Sequence, residues 1–202
     1  MRTVREIIDG LIREEGFPDY AVKDQWYTKA REGIHTGLST PERIESACYH
    51  ESGHLMVVVE VATQLGFDSS NFKILGPLIK YDPNAWNPFN SASMGLFVPG
   101  FENRLAQSDA DVFLMAKVCM AGGESIRQFF GRKMPRGDSD DIAKFKKFAK
   151  RTGEFSDCNI ARMMVKARRD FRSKVEDAEF KLRLSLMAEN TKRELFPEIF
   201  AN

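Results

Sequence analysis

Cysteine and histidine are scarce in this chain, and each shortage narrows what it can be. Its three cysteines, Cys48, Cys119 and Cys158, are spread over 202 residues with no CxxC among them. That spacing excludes a disulfide framework and a cysteine-clustered zinc site, and it fits a reducing compartment, so a cytoplasmic location is expected. Charge of one sign is missing too: 30 Lys and Arg face 29 Asp and Glu, a formal net charge of +1. Such a balance gives no long-range pull toward nucleic acid or anionic membrane. The basic clusters "KFKKFAKR" and "KARRDFRSK" are interleaved with acidic or apolar residues at helical spacing, and they read as solvated helix faces. Long apolar runs are absent. The longest, "LMVVVEVA", falls far short of the ~20 residues needed to cross a bilayer. The opening "MRTVREIIDGLIREEG" carries acids throughout and does not read as a signal peptide, so no membrane anchor is expected.

What is present is an ordinary globular composition, with 43% hydrophobic and 29% charged residues. The length suits one good-sized domain or two small ones. Residues 2–15 and 21–33 read as short amphipathic helices, the first with Val4, Ile7, Ile8 and Leu11 on one face. A strong helix start follows. Ser39 or Thr40 can cap, Pro41 suits the first turn, and Glu42 completes a capping box with Ser39; Gly66 should stop the helix after about Leu65. "FKILG" and "SMGLFVPG" read as short strands separated by the loop "YDPNAWNPFN". Ser108 starts the next helix, Asp138 or Ser139 another. From Ser156 one long helical pattern runs to about Leu195, with Ile160, Met164, Ala167, Phe171, Val175, Ala178 and Leu182 recurring at steps of three and four. The expected fold is mainly α, with a small β-sheet beside the helix that starts near residue 40 and a long C-terminal helix. Three regions are expected: an N-terminal helical extension over 1–38, a core over 39–155, and a C-terminal helical region over 156–202.

Two of the three histidines stand four apart in "YHESGH", in the middle of the best-capped helix. Residues at that spacing differ by about 40° in direction and lie one turn apart, so His50 and His54 can converge on one ion. Glu51 flanks the pair, about 100° from His50 and about 60° from His54, without competing as a ligand. A catalytic zinc holds three protein ligands and a water, whose pKa it lowers from about 16 toward ~7. Glu51 is placed to take that water's proton and hand it to a leaving amine. A lone histidine on an apolar helix is usually structural. In a chain this poor in histidine, however, a chance H-E-x-x-H is expected only roughly a few times per thousand such chains. The third ligand is open at this point. His35 lies in a Gly-flanked loop. "GDSDDI" offers Asp138, Asp140 and Asp141 at a helix start, where acids also serve as simple caps, and Glu124 follows a Gly pair.

Three blocks in order carry a resemblance: "YHESGH", "MAGGESIRQFFG" and "GDSDDIAKFKKFAKR". Over roughly residues 44–165 the chain resembles the peptidase domain of the FtsH family, the membrane-bound ATP-dependent zinc proteases of the M41 class. The resemblance implies a zinc peptidase core over 39–155, with His50, His54 and Asp141 as Zn2+ ligands and Glu51 as the catalytic glutamate. It also implies that Met94, Gly95, Leu96, Phe97 and Val98 form the strand whose edge accepts substrate by backbone pairing. The family couples this domain to an AAA ATPase in a hexameric ring. No G-x-x-x-x-G-K-[ST] occurs here, and Arg127 and Gln128 replace an acidic pair of the Gly-Gly block. The expectation is therefore an ATP-independent zinc metallopeptidase acting on peptides or unfolded segments, with a homo-oligomer left open. The alternative is a protease-derived metal-binding interaction module without proteolytic activity.

Overall fold

The computed structural model describes residues 40–67, 73–74, 80–81, 89–90, 96–97, 100–131, 138–153 and 155–195. The expected helices over 2–15 and 21–33, His35, Ser39, and Met94, Gly95 and Val98 of the expected substrate strand lie outside these residues.

The described chain is mainly helical. Helix α1 covers Thr40–Gln64 and four two-residue strands follow: β1 (Lys73–Ile74), β2 (Lys80–Tyr81), β3 (Phe89–Asn90) and β4 (Leu96–Phe97). Then come α2 (Phe101–Leu105), α3 (Asp109–Phe130), α4 (Ser139–Thr152), α5 (Asp157–Glu176) and α6 (Ala178–Leu195). None of these helices is long and apolar enough to cross a membrane.

Helix α1 starts and stops where its signals lie. Pro41 sits in its first turn, and Gly66 takes φ 87°, a left-handed conformation that an L side chain adopts only under strain. Between Cys48 and Ala62 nearly every residue is buried, including Leu55, Met56, Val58, Val59 and Val61. A helix apolar on all sides must be surrounded, and α1 is packed against α3 and α6. Helix α3 packs in turn on α5 and α4, so α1 and α3 form the centre of one core to which Phe145 of α4, Ile160 and Phe171 of α5, and Leu184 and Met187 of α6 contribute.

At the α1–α3 crossing Gly53 permits the close approach. A Cβ there would lie 2.8 Å from Ser125 Cβ and 2.9 Å from the Ala121 carbonyl oxygen. Ser125 Oγ donates across the same crossing to the Tyr49 carbonyl at 2.8 Å. Ser108 caps α3, accepting from the Asp111 amide at 3.2 Å, and Ser156 caps α5, accepting from the Asn159 amide at 3.2 Å.

Two sequence expectations need correction. The small β-sheet beside α1 is not borne out. In its place the described residues hold two separate antiparallel ladders, β1 with β4 (Lys73 opposite Phe97) and β2 with β3 (Lys80 opposite Asn90). Pairings of two residues are too short to make a sheet that stands alone, and Tyr81, Phe89 and Asn90, at the ends of the expected loop, are in β2 and β3 instead. The long C-terminal helix is two helices. Asp177 leaves the helical conformation (φ −71°, ψ 119°) and its Oδ1 accepts from the Phe180 amide at 2.8 Å, capping α6. The chain bends there, and Phe171 and Phe180 meet edge-on with centroids 5.9 Å apart. The apolar stripe holds through Ile160, Ala167, Phe171 and Val175 but then changes phase: Leu182 is 59% exposed, and Leu184, Met187 and Ala188 are the buried apolar residues of α6.

Candidate metal centre

His50 and His54 project from one face of α1 into the core rather than into solvent. His50 is 9% exposed, His54 6% and Glu51 4%. Their rings meet edge-on with centroids 4.6 Å apart, and their Nε2 atoms are 3.0 Å apart. Asp141, in the first turn of α4, completes the group: its Oδ2 lies 3.2 Å from each of the two Nε2 atoms. Among the described residues these three form the one cluster of metal-binding side chains.

Of the carboxylates left open by the sequence, Asp141 is thus the one that faces the histidines. Asp140 is exposed, and Asp138 turns to Arg168, which donates to it at 2.7 Å. Glu124 is fully buried, but it accepts from Arg172 at 2.5 Å and from Gln128 at 3.0 Å instead of joining the site.

Two contacts from α3 lie beyond the expectations drawn from the sequence. His54 Nδ1–H donates to the main-chain carbonyl of Val118 at 2.7 Å. That bond fixes the tautomer and turns the Nε2 lone pair toward His50 and Asp141. Gly122, one turn beyond Val118 on α3, lies against the two rings. A Cβ there would come within 2.6 Å of His50 Nε2, and His54 Nε2 would be its nearest neighbour. A glycine inside a helix costs about 1 kcal/mol relative to alanine, so a mid-helix Gly-Gly pair signals a packing or site requirement. That signal could have found Gly122.

Electrostatics favour a shared cation at this arrangement. With His54 Nδ1–H committed to Val118, a neutral His54 would point its Nε2 lone pair at the Asp141 carboxylate. A proton resolves this in the metal-free protein. Burial works against charge on His54, but the hydrogen bond to Asp141, the Asp141 charge and the Glu51 charge prevail and raise its pKa to about 9. Burial likewise pushes Asp141 up, but hydrogen bonds from both histidines overcome it and hold the carboxyl well below the usual carboxylate range. A divalent ion would resolve the conflict too. In a tetrahedral site with ligand bonds of 2.0–2.1 Å the donor atoms lie about 3.3–3.4 Å apart. The observed 3.0, 3.2 and 3.2 Å come within a few tenths of that. The donor set of two imidazoles and one carboxylate suits zinc and other first-row divalent ions, so the residues present fit such an ion.

Glu51 lies beside the triad, its Oε1 3.9 Å from His50 Nε2. Burial raises its pKa against the opposing pull of His50 and His54, and Asp141 adds to the rise. A carboxylate with a raised pKa is a better proton acceptor than an exposed one. Of the expected substrate strand, Leu96 and Phe97 form β4, paired on one side with β1. Comparison of the chain with protein-family models, with curated proteins and with solved structures returns no match.

Proposed function

We propose that the protein is an ATP-independent zinc metallopeptidase that hydrolyses peptide bonds in peptides or unfolded segments. The observation that carries this reading is the buried triangle of His50 Nε2, His54 Nε2 and Asp141 Oδ2, with edges of 3.0–3.2 Å and Glu51 beside it. Burying ionisable groups costs several kcal/mol each unless they are compensated, so four of them gathered where α1 meets α4 call for a charge to organise. His50, His54 and Asp141 would hold the ion. When bound, zinc would supply Lewis-acid polarisation of a water and of the scissile carbonyl.

The chain's own residues do the rest. Val118 orients His54 through its carbonyl, Asp141 brings a negative charge from α4, and the apolar walls of α1 and α3 exclude bulk water. Glu51 takes the proton of the attacking water and returns it to the leaving amine. The resemblance to the FtsH-family peptidase domain in three ordered blocks supports the choice of a peptide substrate, with the β4 segment as the edge on which it would pair. Three free cysteines, two of them buried, accord with a reducing, cytoplasmic setting.

The test is zinc content of the purified chain by mass spectrometry, together with cleavage of casein. One zinc per chain, chelator-sensitive cleavage, and a loss of about 10²–10⁴-fold on Glu51→Gln are expected. A chain that holds no zinc, or a Glu51→Gln variant that cleaves like wild type, would refute the assignment. Stoichiometric zinc with no cleavage by wild type would instead favour a metal-binding interaction module.

A further inference from the structure

We propose that Arg168, which belongs to α5 and touches none of the three donors, positions Asp141 by holding Asp138. This rests on the metal-site reading above. Arg168 donates through its guanidinium to Asp138 Oδ2 at 2.7 Å, and the two side chains are only 17% and 11% exposed. Asp138 is the N-cap residue of α4, three positions before Asp141, and its carbonyl accepts from the Ile142 amide at 2.9 Å. Its carboxylate makes no hydrogen bond to its own helix. The side chain usually spent on capping is turned to α5 instead.

On its other side Asp138 rests against α3. A Cβ on Gly123 would come within 2.6 Å of Asp138 Cβ and Oδ2. Gly122, the preceding residue, faces the two imidazoles. One turn along α5, Arg172 Nε donates at 2.5 Å to Glu124, the next residue of α3. Helix α5 thus grips both elements that border the site, α3 at Glu124 and α4 at Asp138. The run "KARRDFRSK" is therefore not simply a solvated face. Helix ends fray unless something holds them, and the donor of a metal site must sit within about 0.2 Å of its place. Arg168 fixes the turn that carries Asp141.

The experiment uses the full chain with Arg168→Met, Arg168→Lys and Gly123→Ala. Two readouts are taken: amide hydrogen exchange of the metal-free protein, and zinc affinity by competition with a chromophoric chelator. In Arg168→Met, exchange at Ile142 should rise at least about tenfold while Phe148, in the middle of α4, is unchanged. Zinc affinity should fall about 10–100-fold, the usual consequence of losing an outer-shell partner. Arg168→Lys, which keeps the charge, should retain most of both. Gly123→Ala, which displaces Asp138 with Arg168 intact, should resemble Arg168→Met.

The proposal is overturned if Ile142 exchange or zinc affinity is unmoved in Arg168→Met. It is equally overturned if Ile142 and Phe148 accelerate alike, which marks a general loss of stability. Should Arg168→Met not fold, Gly123→Ala decides on the same readouts. If wild type takes up no zinc, the metal reading falls, and exchange at Ile142 alone upholds or refutes the hold of Arg168 on α4.

Discussion

Replacing Gly122 by alanine puts one methyl group into the space between the two imidazoles. Built on the α3 backbone, that carbon would lie 2.6 Å from His50 Nε2 and 2.7 Å from His50 Cδ2, closer than real Cβ contacts come. Restoring ordinary van der Waals separation, about 3.4 Å or more, requires the rings or α3 to shift by at least about 0.8 Å. A metal site tolerates about 0.2 Å. Losing a partner that only orients a ligand costs 10–100-fold in affinity, so displacing the donor rings themselves by this much should cost at least about 100-fold, or ~2.7 kcal/mol. Stability of the metal-free protein should change far less. Overpacking costs roughly 1–3 kcal/mol, while alanine in place of glycine in a helix returns about 1 kcal/mol, leaving a net loss of about 0–2 kcal/mol. Zinc affinity by chelator competition and urea unfolding in excess chelator measure the two quantities separately. Wild-type affinity in a folded Gly122→Ala variant would refute the reasoning, because the ion would then not occupy the space that glycine leaves open.

Gly53→Ala adds its carbon against Ser125 and Ala121 rather than against the donors. It meets Ser125 Cβ and the Ala121 carbonyl at 2.8 and 2.9 Å, so it wedges α1 from α3 and, after the same return for alanine in a helix, should lower unfolding free energy by about 0–2 kcal/mol, read by urea titration. Zinc uptake should depend on pH, because His54 keeps a proton up to about 9 in the metal-free protein and the ion must displace it. Affinity should rise about tenfold per pH unit from near 7 to about 9 and then level off, with about one proton released per ion, measurable by calorimetry in two buffers. The sign for stability is the reverse. The folded His54 pKa lies above the ordinary 6.5, so its contribution to the metal-free protein is complete below about 6.5 and is lost as pH rises through about 9. Affinity that is flat between pH 7 and 9 would contradict the His54–Asp141 pairing.

Local signals in the sequence located the elements around the site. Pro41 and Gly66 bracket α1, Ser108 and Ser156 cap α3 and α5, and the His50–His54 spacing defines one face of a helix. The choice of Asp141 did not follow from spacing, because Asp138 and Asp140 occupy the same helix start. It came from the resemblance, and the geometry brings Asp141 to the rings while sending Asp138 to Arg168. The break at Asp177 was hidden because apolar steps of three and four continue through Ala178 and Leu182. One aspartate capping the Phe180 amide outweighs that rhythm and rephases the buried face. The partners of Arg168 and Arg172 lie 30 and 48 residues away, beyond any local pattern, so a basic run looked solvated. The two expected strands appear as the two-residue β1 and β4, but the sheet did not follow from them, since patterning over a few residues does not say how far a ladder will extend.

The bond from His54 to Val118 uses an atom that every amino acid supplies equally. Val118 is itself buried in the core, so exchanging it would disturb packing, but no exchange of its side chain would remove that acceptor. The same oxygen also closes a turn of α3, so only bending the helix can withdraw it. The orientation of a proposed ligand is thereby inherited from the straightness of a neighbouring rod and not from any one letter of the sequence.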